Sequence, residues 1–467
     1  MMKTTFVCGL LAMAGVVSAS AEEFPLTFRT IPAKDVIAFP GGYGTSAQLR
    51  LVKPSNLKKE PKAVSSHPLY SESRPGASGP ALLLRLDESK GDGKGYDQIL
   101  VDMNQNGDLT DDTPAPVIVL PADRKAPSQA PRQKLFGPIP PPAGTLILGQ
   151  QPMSFAQVYV NNLSTILDSS QRLENIYAGY VRLKAGWYVD TTVELKGVKT
   201  KVGLFDGNGN LRLGDLPKSQ IYSNSGQPES WYFMPGDSLL VDADGSGAFE
   251  SDAFGTESCS FGPLLYFGAT PYKVALTPDG KSLKVEPWTE ARAEVALQPH
   301  GEQVCSVTLA WEQPNQQWQL IRAGAAEGKI RVPPGNYRLY QCELLGKSAA
   351  RDPVKAAAYQ RAVKKPFVFA AGSGNTLRYG APLEIKVAAD KKIPESWDRI
   401  NNDPDRKPGP ADSEYVVAIN ADIHGVGGEV YQQYGKGEKF ADDPPQPRFT
   451  ITDAQGKKVG SGKLEFG

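Results

Sequence analysis

Apolar residues in this chain come in short runs that stop at glycine, proline, asparagine or aspartate. That pattern predicts strands and tight turns. "ALLLRLD" (81–87) and "YDQILVD" (96–102) flank the glycine-rich "ESKGDGKG" and predict a hairpin. "ENIYAGYVRL", "GWYVDTTVEL" and "KTKVGLFD", separated by "KAG" and "KGV", predict an antiparallel meander. "YKVAL" and "SLKVEP" are joined by Thr277-Pro278-Asp279-Gly280, a second hairpin turn. From about 290 the pattern restarts with "CSVTLAWE", "QQWQLIRA", "GKIRV" and "NYRLYQCELL", and the chain ends in the hairpin "RFTIT-DAQG-KKVGSGKLEF". "GSGNTL" (372–377) reads as a glycine turn between strands, and "PVKAAAYQRAVK" (353–364) is the best helix candidate.

These signals predict an all-β protein of several antiparallel β-sandwich (Ig-like) domains in tandem, with little helix. A chain of 467 residues is too long for one ordinary core. The proline-rich "TPAPVIVLPADRKAPSQAPRQKLFGPIPPPAG" disfavours helix and central strand, so a linker is expected at 126–142. The expected domains are 22–125, 143–288, 289–365 and 366–467.

Composition supports this picture: 47 glycines and 39 prolines favour turns over long helices. Fifty-one basic residues balance 51 acidic ones, so no global field draws the chain to nucleic acid or anionic lipid. Lys3, the apolar run 5–17 and Ala19-Ser20-Ala21 read as a signal peptide over 1–21, without the small residues that would make Cys8 a lipid anchor. No later segment has the ~18 consecutive apolar residues of a membrane helix. The expected location is secreted, periplasmic or cell envelope.

The chemistry sits where strands end. In "ILVDMNQNGDLTDD", oxygen-bearing side chains fall at loop positions 1, 3, 5, 7, 9, 10 and 11: Asp102, Asn104, Asn106, Asp108, Thr110, Asp111 and Asp112. Gly107 stands at position 6 and Leu109 at 8. Calcium takes six to eight oxygens, and alternate side chains on a tightly curling backbone converge on one point. Position 12 is Thr113 rather than Glu, so Asp111 or Asp112 would have to close the shell. "VDADGSGAFESD" repeats the scheme with Asp242, Asp244, Ser246, Glu250 and Asp252. "FDGNGNLRLGD" repeats it with Asp206, Asn208, Asn210 and Asp215, but has Leu211 at position 6. Each loop follows an apolar strand, unlike the helix-flanked loops of EF-hands. Turn chemistry alone also clusters Asp, Asn and Gly.

In their order, "YDQILVDMNQNGDLTDD", "VGLFDGNGN", "GDSLLVDADGSG" and "FTITDAQGKKVGSGKLEFG" resemble large secreted multidomain β proteins of Gram-negative bacteria. The single loops resemble dockerin-type and EF-like calcium loops. The resemblance implies structural calcium on β domains and brings no established activity.

Cys305 and Cys342 lie on strand runs of one proposed domain, with Trp311 and Trp318 between them, and export predicts a disulfide. Tyr340, two residues before Cys342, resembles the tyrosine corner of immunoglobulin domains. Cys259 would then be free. His67, His300 and His424 show no zinc spacing, and no nucleophile or cofactor motif occurs. Trp187, Tyr188, Trp231 and Tyr232 are candidates for a sugar-stacking platform or for core packing. The function expected is non-catalytic: calcium-stabilised β domains with a binding, adhesion or structural role toward a protein or glycan. The competing class is a secreted polysaccharide hydrolase.

Overall fold

The computed structural model of the chain describes residues 21–37, 39, 46–73, 81–91, 95–119, 133–160, 178–195, 197–216, 218–222, 230–234, 236–242, 245–249, 258–267, 270–299, 303–312, 318–323, 328–347, 353–359, 366–379, 384–392, 416–427, 430–436, 448–452 and 454–463. The signal segment expected at 1–21 lies outside them, Ala21 excepted. Every regular element among the described residues is a strand, and none is a helix long and apolar enough to cross a membrane.

In chain order the strands are β1 (Glu22–Pro25), β2 (Thr27–Thr30), β3 (Ser46–Leu49), β4 (Leu69–Ser73), β5 (Leu82–Asp87), β6 (Gln98–Val101), β7 (Ala115–Ile118), β8 (Gln133–Ile139), β9 (Ser154–Val160) and β10 (Gly179–Ala185). Next come β11 (Trp187–Leu195), β12 (Val198–Phe205), β13 (Lys218–Tyr222), β14 (Ser230–Met234), β15 (Ser238–Val241), β16 (Ser258–Ser260), β17 (Leu264–Phe267), β18 (Thr270–Leu276), β19 (Ser282–Pro287), β20 (Ala293–Pro299), β21 (Gln303–Glu312) and β22 (Trp318–Ala323). The rest are β23 (Lys329–Val332), β24 (Gly335–Lys347), β25 (Pro353–Tyr359), β26 (Phe367–Phe369), β27 (Gly372–Tyr379), β28 (Glu384–Lys392), β29 (Val416–His424), β30 (Val430–Lys436), β31 (Arg448–Thr452) and β32 (Lys458–Lys463).

The first body is an eight-stranded antiparallel sheet in the order β3-β10-β9-β8-β7-β6-β5-β4. Its two edges meet: Arg50 and Tyr70 exchange both backbone hydrogen bonds at 2.8 Å, which closes the sheet into a barrel. Every one of the eight strands sends a side chain inward, among them Leu49, Leu69, Leu84, Ile99, Ala115, Phe136, Val158 and Val181. The stretch expected to be a linker therefore contains a barrel strand, β8, and the barrel draws strands from both of the domains expected on either side of it. Proline is tolerated there because Pro138 falls at a register shift between Phe136 and Ile139, where the ladder needs no N–H.

The second body is a two-sheet sandwich. One sheet runs β16-β15-β12-β11-β2 and the other β1-β19-β18-β17. The N-terminal segment crosses between them at Leu26, giving β1 to one sheet and β2 to the other. It thus belongs with residues 187–287 rather than with the barrel. Trp187, Val189, Leu204, Leu240, Leu265, Leu283 and Val285 fill the interior. Gly186 is where the chain leaves the barrel: an added Cβ there would lie 2.3 Å from the Phe155 ring.

A third core joins the three-stranded sheet β23-β20-β27 to β21, β22, β24 and β26, through Val295, Leu309, Ile330, Tyr337, Leu377 and Tyr379. β25, β30, β29 and β28 extend that larger sheet, so the boundary expected at 365 is crossed by strand pairing. Residues 353–359 are strand β25, not helix, since pairing with β24 and β30 outweighs the helix preference of the alanines. "GSGNTL" is likewise strand, in β27, which pairs parallel with β20. The Tyr337 hydroxyl donates to the Pro333 carbonyl at 2.6 Å. The side chains of Cys305 and Cys342 lie outside the described residues; the backbone register places Cys342 opposite Val307.

Candidate metal centres

β6 ends by delivering Asp102 with its side chain fully buried. Its Oδ1 accepts the Asn106 N–H at 3.1 Å and its Oδ2 the Gly107 N–H at 2.8 Å. The backbone curls because Gln105 and Gly107 are left-handed, at φ +61° and +78°. Leu109 anchors the far side, buried with Leu57, Tyr70, Leu83 and Leu100 on the outside of the barrel. The strip before β4 pins the loop: Lys58 N–H donates to the Gly107 carbonyl at 2.8 Å and Leu109 N–H to the Lys59 carbonyl at 2.9 Å. That strip is itself held by Arg85, 3 % exposed, which pairs with Glu60 at 3.2 Å and Asp87 at 3.1 Å.

Inside the loop, the Asn104 and Asn106 amides donate to one oxygen, Asp111 Oδ2, at 3.1 and 2.9 Å. Asp108 is turned away. It pairs with Lys59 at 2.9 Å and accepts from Thr110, and these contacts, Thr110 first, pull its carboxyl down to about 2. Asp112 Oδ2 is buried with no donor. Burial, then the charges of Asp102 and Asp111, push Asp112 up to about 7. The structure thus brings together Asp102, Asn104, Asn106, Asp111 and Asp112, and leaves Asp108 and Thr110 paired with each other.

The loop after β12 repeats this wiring. Asp206 Oδ2 accepts the Leu211 N–H at 2.7 Å, and its Oδ1 accepts from Gly209 and Asn210. Asn208 and Asn210 donate their amides to Asp215 Oδ2, as Asn104 and Asn106 do to Asp111. The same two positions are left-handed, Gly209 at +73° and Leu211 at +62°. Leu211 adopts, against its own preference, the conformation that glycine supplies in the first loop. Burial pushes Asp206 up to about 7 against three backbone donors.

Asp237, absent from the sequence-derived set, reaches this loop from the residue before β15. Its Oδ2 accepts the N–H groups of Gly214 and Asp215. Burial first, then the Asp206 charge, raise its carboxyl well above the usual range. No linear spacing marks it, since it lies 22 residues from Asp215.

In the loop after β15, Asp242 Oδ2 accepts the Gly247 N–H at 2.9 Å, and Gly245 and Gly247 are left-handed at +76° and +81°. Ser246 Oγ contacts the Ala248 backbone at 3.3 Å. Asp244, Glu250 and Asp252 lie outside the described residues. Phe249 packs edge-on to Tyr188 at 5.7 Å, anchoring this loop as Leu109 anchors the first.

All three loops share one device: the first aspartate binds the amide five residues on, with left-handed turns at positions 4 and 6. Among the described residues, no three His, Cys, Asp or Glu side chains are grouped closely enough to hold a metal by themselves. A cation here would draw on asparagine and backbone oxygens as well, as calcium does. The donor set is oxygen only, and three buried carboxylate oxygens in or against the loops have no hydrogen-bond partner: Asp112 Oδ2, Asp237 Oδ1 and Asp242 Oδ1.

Of the four aromatic candidates, Trp187 and Tyr188 pack against other rings of the fold. Trp187 is fully buried and stacked on Phe28 at 5.8 Å, and Tyr188 packs on Phe39 at 5.1 Å. The side chains of Trp231 and Tyr232 lie outside the described residues. A groove of about 390 Å³ lies instead between the β18–β19 face and Trp311, lined by Lys273, Lys284, Glu286 and Glu290. Lys273 bonds Glu290 and holds its carboxyl below the usual range. No family model matches the chain, and neither a curated protein nor a solved structure matches it.

Proposed function

We propose that this chain is an exported, calcium-braced β scaffold with a binding role toward a protein or glycan. One observation carries the calcium reading. Each of the three loops keeps, in or against it, a buried carboxylate oxygen that no donor satisfies. Leaving a charge buried and unpaired is costly, and a hard cation removes that cost. The first aspartates are buried at the ends of β6, β12 and β15 and bonded to the loop backbone, so in this reading the metal braces those loops.

The groove beside Trp311, lined also by Trp288, Lys273, Lys284, Glu286 and Glu290, offers an aromatic and charged surface for that partner. A glycan array and a pull-down on the mature protein, run beside a polysaccharide hydrolase panel, test this reading. Capture that Trp311→Ala abolishes supports it. Turnover lost on mutating an acid outside the three loops contradicts it.

A further inference from the structure

The loop after β12 lacks the acid that the first loop carries at its eleventh position. Leu216 stands there, 41 % exposed, where the first loop has Asp112. We propose that Asp237 supplies the missing acid from the start of β15, so that Asp237 and the loop 206–215 together form one calcium site. The inference rests on the calcium reading of the loops and adds a ligand that no linear motif contains.

Three observations carry it. The Asp237 side chain is 1 % exposed, and its Oδ1 has no hydrogen-bond partner while Oδ2 takes the Gly214 and Asp215 amides. The backbone fixes it against the loop, since Asp237 N–H donates to the Asp215 carbonyl at 2.9 Å and Phe261 N–H to the Asp237 carbonyl at 2.7 Å. The asparagine wiring of the two loops is the same: Asn104 and Asn106 donate to Asp111 as Asn208 and Asn210 donate to Asp215. What differs is where the last acid comes from. In the first loop it is the next residue, Asp112; in the loop after β12 it comes from a neighbouring strand.

The chemistry favours a hard divalent cation. Asp206 accepts three N–H bonds and still has lone-pair capacity, since a carboxylate offers about four sites. Asp237 Oδ1 adds an unshared oxygen, and no nitrogen or sulfur donor is among these groups.

Terbium-sensitised luminescence and calcium calorimetry on the full mature chain test the proposal, with Asp237→Asn, Asp206→Asn and Asp102→Asn compared with wild type. Asp237→Asn should remove one site from the stoichiometry, or weaken one by at least about tenfold, the loss that follows even from removing a group that only orients a metal ligand. The Asp102-dependent site should stay intact. Full occupancy in Asp237→Asn, with a site lost in Asp206→Asn, overturns the role of Asp237 and leaves the calcium reading standing. No binding by wild type removes both. Should Asp237→Asn fail to fold, anomalous diffraction from terbium-soaked wild-type crystals decides. A peak about 2.5 Å from Asp237 Oδ1 supports the proposal. A peak in the loop that Asp237 does not touch overturns it.

Discussion

Leu211 occupies, at φ +62°, the left-handed backbone that Gly107 occupies at +78°. Both donate their N–H to the first aspartate of their loop, at 2.7 and 2.8 Å. The curl is therefore imposed by the carboxylate and its neighbours, not merely permitted by glycine. Left-handed backbone costs a side-chain-bearing residue about 1–2 kcal/mol.

Gly107→Ala should destabilise the protein by more than that. Its Cβ would meet the Asn56 carbonyl oxygen at 2.8 Å, a backbone atom that cannot step aside without moving the strip at 57–59. Leu211→Gly has opposing terms: relief of about 1–2 kcal/mol of strain against about 2–3 kcal/mol of lost burial. A net loss near 1 kcal/mol is expected. Urea unfolding of both variants checks the order, and a Gly107→Ala protein as stable as wild type would contradict it.

Arg85→Ala should cost about 3–5 kcal/mol, since it leaves Asp87 and Glu60 charged without their buried partner. It should also weaken calcium binding at the first loop, because Arg85 holds the strip that pins Gly107 and Leu109. Equilibrium unfolding and calorimetry measure the two effects. Stability lost with first-loop affinity unchanged would separate the strip from the site.

Asp112 contributes to the expected pH dependence, alongside the raised carboxyls of Asp206 and Asp237. The folded Asp112 carboxyl, at about 7, lies above the ordinary carboxylate value near 4, so the folded state holds the proton more tightly. In chelator, its contribution should therefore fall as pH rises from about 4 to about 7. Calcium should reverse that trend, because the ionised form is the ligand. Melting curves across this range, with and without chelator, show it, and Asp112→Asn should reduce the slope in chelator, leaving the part that Asp206 and Asp237 contribute. Equal slopes for wild type and Asp112→Asn would count against the assignment.

Much of the strand pattern was legible because turns and alternation are local. The hairpins β5–β6, β18–β19 and β31–β32 formed where glycine and aspartate clusters predicted. The loop motifs were legible too, since alternate Asp and Asn report a curling backbone. What sequence missed depends on distant pairing. Barrel closure through Arg50 and Tyr70 needs two strands about twenty residues apart to meet. β25 is strand because β24 and β30 flank it. Asp237 joins the loop after β12 only through sheet neighbours β12 and β15. Asp108 fitted the ligand spacing yet faces Lys59, a partner from another segment.

The central claim is that the loops bind calcium. Calorimetric titration of the protein with calcium and then magnesium, paired with melting in chelator, tests it most directly. Kd values of about 0.1–1 mM for calcium are expected, as in extracellular modules, with magnesium weaker. At 1 mM calcium a 0.1 mM site adds about 1.4 kcal/mol, so the melting temperature should rise by a few degrees. No heat of binding, together with identical melting in calcium and in chelator, would contradict the account.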